Sequence, residues 1–153
     1  MQAYRERLVP GIGTMLAFLL LAPGLLLILL PIDPTLGVVV AILGTIAVEV
    51  ALVLTAPVLE VTSGELRAGR AHIEVGLTGA AEVFRAADAT RSRGVELDAR
   101  AYTVLRGWVD PVVRVPILDP ADPAPYWVLS TRHPERLAAA LEDARAVAGS
   151  PSR

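Results

Sequence analysis

Two long apolar runs dominate what this chain can become. Leu8 to Leu30 holds no ionisable side chain, and Leu36 to Pro57 holds only Glu49. At about 1.5 Å per residue, each run forms a helix of roughly 33 Å, enough to cross a hydrocarbon core of about 30 Å. The runs therefore predict two membrane spans, at about residues 8–30 and 36–57. Arg5 and Arg7 precede the first run as they would in a signal peptide. Its apolar stretch is longer than such a segment needs, no small-x-small cleavage site follows, and a second span comes at once. A retained hairpin is expected.

The link Pro31-Ile32-Asp33-Pro34-Thr35 carries two prolines and an acid, which predicts a tight turn and antiparallel helices. It has no basic residue, whereas Arg5 and Arg7 lie before the first span and Arg67 and Arg70 after the second. The positive-inside bias then predicts a plasma (inner) membrane protein with both termini cytoplasmic and the turn outside. Pro23-Gly24 predicts a kink in the first span.

Glu49 is the functional candidate within the spans, because an ionisable group at that depth costs a few kcal/mol and usually faces protein or water. Antiparallel packing brings Thr14 to a similar depth, and Thr45 lies one turn back on the same helix. A protonated Glu49 bonded to a hydroxyl or to a second protomer is satisfied without any transport role. A proton-linked accessory role is the functional alternative.

After Pro57 the pattern changes to short β-rich runs. Val58 to Thr62 and Glu65 to Ala68 read as a hairpin about Ser63-Gly64, and Ala71 to Leu77 alternates with period two. Thr78 to Ala87 fits helix, loop or strand, and Gly79 to Ser92 reads as a possible loop. Ala101 to Arg106, Val112 to Leu118 and Tyr126 to Thr131 read as further strands. Pro134 suits a first helical position, and Leu137, Leu141, Ala144 and Ala148 form one apolar stripe. The expected organisation is a hairpin over 1–57, a β unit over 58–148 and a disordered tail over 149–153.

Asp119, Asp122, Ser130 and His133 crowd one stretch and invite a hydrolase or calcium reading. The prolines and aspartates are explained by a rigid turn and the hydroxyls by a helix start, and neither a nucleophile elbow nor a calcium-hand pattern is present. The chain has no cysteine, so thiol catalysis and cysteine zinc sites are excluded, and the histidines, His72 and His133, lack metal-ligand spacing. The whole chain carries 14 basic residues, all arginine, against 16 acidic ones, which is no nucleic-acid footprint. No catalytic residue, metal or cofactor, and no small-molecule substrate, is expected.

"ELRAGRAHIEV", "LDARAYTVLRGWVDPVVRV" and "DPADPAPYWVLSTRHPERLAAAL", following a two-span hairpin, resemble an actinobacterial family of membrane proteins of unknown function. The last motif, a strand running into a helix, is also similar to bacterial pleckstrin-homology-like domains. The resemblance implies a small pleckstrin-homology-like barrel or sandwich capped by a C-terminal helix, beside the bilayer, and no known catalytic residues. Such a domain implies a lipid-contact reading, for which Arg67 and Arg70 are the candidates, offset by Glu60 and Glu65. The leading expectation is a non-enzymatic membrane-tethered scaffold or interaction module, with a protein partner or a homo-oligomer. Tyr126, Trp127 and Arg132 are its candidate contact surface.

Overall fold

The computed structural model describes residues 2–149. The expected tail falls outside these residues except for Gly149. The chain forms two units, one from Val9–Ala56 and one from the residues up to Leu8 together with those from Pro57 onward. The β unit thus begins before the apolar runs. Strand β1 (Gln2–Arg7) pairs antiparallel with β2 (Val58–Thr62), with Arg5 opposite Glu60 and Arg7 opposite Val58. The expected division at residue 57 had placed this strand in the hairpin. Its β pattern is masked because Glu6, between the inward Tyr4 and Leu8, also points inward, while Arg5 and Arg7 point out.

The first sheet continues as a meander through β3 (Glu65–Ala68) and β4 (Ala71–Glu74), in the order β1-β2-β3-β4. Gly69, at φ +63°, sits at the first central position of the β3–β4 turn, where a positive φ favours glycine. The strand expected over Ala71 to Leu77 stops at Glu74, and Val75–Leu77 turns into a 3₁₀ helix. The Thr78 hydroxyl donates to the Val75 carbonyl at 2.7 Å, which stabilises that turn.

The second sheet has the order β5-β7-β8-β6, from β5 (Glu82–Phe84), β6 (Tyr102–Val104), β7 (Val112–Pro116) and β8 (Tyr126–Ser130). Strand β6 runs parallel to β8, and the other pairs are antiparallel. The sheets do not close into a barrel, which corrects that half of the barrel-or-sandwich expectation. Gly79 to Ser92 is no loop: it holds β5 and a short helix, α4 (Ala86–Ser92) when the helices are numbered after the three of the hairpin described below.

One core lies between the sheets and helix α5 (Pro134–Ala148), built around Leu8, Leu59, Leu66, Leu129, Leu137 and Leu141. The α5 stripe is Leu137, Ala140, Leu141 and Ala144; Ala148 is exposed. A smaller cluster of Ala89, Val112 and Val128 covers the other face of the second sheet.

In the other unit, α1 (Ile12–Leu19) and α2 (Leu21–Leu29) form one apolar rod interrupted at Leu20, and α3 (Pro34–Leu54) returns alongside. Both rods are long and apolar enough to cross a membrane. The break at Leu20 lies just after Leu19, the residue four before Pro23, where the proline ring and its missing N–H disrupt the helix ladder. Asp33 caps α3 by accepting from Thr35 N at 2.8 Å and Leu36 N at 3.0 Å, with Pro34 in the first turn. Gly37, Ala41 and Thr45 form the buried stripe of α3, and a Cβ on Gly37 would lie 3.4 Å from a Leu26 methyl. Two further pairs of small residues four apart, Gly13 with Ala17 and Ala47 with Ala51, are exposed.

Candidate functional site

Among the described residues, the first sheet ends in an unpaired edge at β4 and the second in an unpaired edge at β6. Between them lies a cleft of about 480 Å³, with Arg70, His72, Arg100 and Asp122 at its rim and Ala101, Tyr102, Ala124 and Trp127 along its wall. Local chemistry fixes each part. Arg100 is drawn in by Asp98, which accepts from its Nε at 3.2 Å and its Nη2 at 3.1 Å. That bonding holds the Asp98 carboxyl below its ordinary value. Asp122 accepts from Ala124 N at 2.8 Å, and Asp119 from Ala121 N at 2.9 Å, so both aspartates cap turns. Tyr102 packs on Trp127 with ring centroids 4.9 Å apart and donates to the Ala68 carbonyl at 3.0 Å, tying the second sheet to the first beside the cleft.

The expected contact surface of Tyr126, Trp127 and Arg132 does not form one face. Tyr126 and Trp127 are strand neighbours and point to opposite sides of β8. Trp127 is 3% exposed and belongs to the main core. The Tyr126 ring is covered by the Arg114 guanidinium at 4.8 Å, and its hydroxyl accepts from Asp98 N at 2.7 Å.

Arg132 belongs to a polar cluster that the sequence did not reveal. Glu6 Oε2 accepts from the Tyr4 hydroxyl at 2.5 Å and the Thr131 hydroxyl at 2.6 Å, while its Oε1 accepts from Arg132 N at 3.2 Å and lies 3.5 Å from Arg132 Nη1. The Tyr4 and Thr131 oxygens are also 2.9 Å apart. The hydroxyls carry one proton each, so the three short contacts share two protons, and donation to the charged carboxylate is the stronger use of both. Burial opposes ionisation of Glu6, but the bonds from Thr131, Tyr4 and the Arg132 backbone, with the Arg132 charge, outweigh it and hold the carboxyl below its ordinary range. Burial and the bond to Glu6 raise the Tyr4 phenol. This cluster joins β1 to the chain entering α5. A signal was present in the alternation of Tyr4, Glu6 and Leu8, but it paired only with a residue more than a hundred positions away.

Arg67 and Arg70 are separated. Arg67 lies on the outer face of the first sheet, in a cross-strand row of Arg5, Glu60, Arg67 and His72, and it pairs with Glu65 at 3.5 Å. Acids thus flank it on two sides. Arg70 stands at the cleft rim.

In the hairpin unit, Thr45 is buried, and Thr14 and Glu49 are half-buried. Thr45 Oγ1 and Glu49 Oε2 are shielded from solvent without a hydrogen-bond partner. Met15, not Thr14, lines the grooves beside Glu49.

Among the described residues no group of three His, Cys, Asp or Glu is placed to hold a metal ion. No curated protein and no solved structure matches the chain. The family described as "Protein of unknown function (DUF3093)" matches residues 3–141, from β1 into α5. That span takes in both units and the motifs of the cleft, and the chain belongs to this family.

Proposed function

We propose that the protein is a non-enzymatic, membrane-tethered interaction module that binds an extended segment of a partner protein in the cleft between β4 and β6. The observation that carries this reading is the meeting of two unpaired strand edges at one cleft. Each edge offers backbone groups to an added strand, and the tyrosine and tryptophan wall offers apolar footing. Arg100, already paired with Asp98, and Arg70, opposed by Asp122, leave the rim without a net charge, and their guanidinium N–H groups with His72 are positioned to bond carbonyl oxygens of an added strand. Two rods of membrane-crossing length, with Arg5 and Arg7 before them and Arg67 and Arg70 after them, support an inner-membrane hairpin with both termini cytoplasmic. Two sheets closed at one end by a C-terminal helix support the pleckstrin-homology-like description.

A photo-crosslinking residue placed at Ala101 in the full-length protein tests the site in native membranes, with one at Glu60 on the outer sheet face as comparison. A defined adduct is expected from position 101 alone, and Arg70→Glu with Arg100→Glu is expected to abolish it while Arg67→Glu leaves it. Equal adducts from both positions, or an adduct indifferent to the double reversal, sink the proposal.

A further inference from the structure

We infer that the hairpin dimerises through α3, with Glu49 of one copy bonded to Glu49 of a second copy. The inference rests on the membrane reading above but not on the cleft.

Helix α3 spends one face on its own hairpin, through Gly37, Ala41 and Thr45. A different face carries Val39, Ile42, Ile46, Glu49 and Val53, spaced three, four, three and four residues apart. That is the spacing of a seam along which two helices pack at a shallow angle. Val39, Ile42 and Ile46 are 47%, 53% and 53% exposed, while Glu49 and Val53 are half-buried, so the single chain leaves most of the seam uncovered. Glu49 is its one polar member. Shallow grooves flank it, one of about 330 Å³ along Ile12, Met15, Leu16 and Leu19, the other of about 240 Å³ along Val50, Val53 and Leu54.

Glu49 Oε2 is enclosed by its own chain yet has no hydrogen-bond partner there, so the half-buried side chain must turn toward the seam to gain one. In hydrocarbon a carboxyl is held neutral, and then it needs both a donor and an acceptor. Lipid tails supply neither. A second copy related by a two-fold axis along the membrane normal brings its own Glu49 to the same depth as a matter of symmetry. Two neutral carboxyls are self-complementary: each O–H donates to the other's carbonyl oxygen, and both orphan groups are satisfied at once. The apolar seam residues on either side then pack copy against copy.

The chain has no cysteine, so an introduced thiol is unique in each copy. With full-length protein in native membranes under mild oxidation, Ile46→Cys on the seam is expected to form a disulfide-linked dimer. Ala51→Cys, on the opposite side of α3, is expected to stay monomeric. Adding Glu49→Leu to the Ile46→Cys protein is expected to cut the dimer yield about sevenfold, the size of the two intramembrane hydrogen bonds it removes. Glu49→Gln, which still donates and accepts, is expected to retain it. Equal cross-linking at positions 46 and 51, or a yield unchanged by Glu49→Leu, overturns the inference. Alkaline carbonate extraction of the same membranes separates the two failures: protein that washes off refutes the membrane reading, while retained protein that does not cross-link at position 46 refutes the dimer.

Discussion

Glu6 is the residue on which the β unit's internal electrostatics turn. Its side chain is 9% exposed and receives donors from β1 itself and from the segment entering α5. Its folded pKa lies below the unfolded value of about 4.3, so the stability it contributes is present in full above that value and is lost as pH falls through the folded one. Glu6→Gln is therefore expected to lower the melting temperature at pH 7, with a deficit that shrinks progressively as pH falls below the unfolded value of about 4.3. Melting curves on either side of that value check it, and a deficit that persists unchanged in acid contradicts it. Ala86 is the other telling residue. It holds φ +49° at the start of α4, with its N–H donated to Asp110 Oδ2 at 2.9 Å. A side chain in that region costs roughly 1 kcal/mol, and Ala86→Gly is expected to raise stability by up to about that amount in urea titration.

Elements read from pattern alone succeeded where the pattern was local. The β2–β3 hairpin, the turn between the two apolar rods and the amphipathic α5 follow from turn residues and an apolar stripe, whereas α3 starts at Pro34, two residues before the expected span. Strand β1 was invisible because three of its six residues are charged and its inward Glu6 is explained only by Thr131 and Arg132, far along the chain. The end of the β4 run was misread because Gly76 and Leu77 continue an alternation that the backbone abandons for a 3₁₀ turn. For the site, Arg70 and Trp127 were singled out from the sequence. His72 was noted only as lacking metal-ligand spacing, and the partnership of Arg70 with Arg100 and Tyr102 depended on which edges the sheets leave open. At this scale α5 offers the direct test. Leu137 is fully buried against the sheets, and Leu137→Ala is expected to cost about 2–4 kcal/mol of folding free energy. Both tryptophans, Trp108 and Trp127, lie in the β unit, so their fluorescence during denaturation reports the change.

For the whole molecule, the β1–β2 pair is a hairpin whose loop is the entire Val9–Ala56 unit. Leu8 N donates to the Pro57 carbonyl at 2.9 Å, so the two ends are already joined as neighbouring strands. Replacing residues 9–56 by a short Asn-Gly turn is expected to give a water-soluble, cooperatively melting β unit. A fragment beginning at Val58 lacks Tyr4, Glu6 and Leu8 and is expected to aggregate; size-exclusion chromatography and thermal melts distinguish the two. The same pairing also imposes parity. Two strands that hydrogen-bond to each other occupy one compartment, so the chain between them crosses a bilayer an even number of times. A chain that inserts a single span strands β1 and β2 on opposite sides, where the first sheet cannot assemble. On the membrane reading proposed above, a chain with the wrong topology lacks its N-terminal strand, so completion of the first sheet reports whether both rods were inserted.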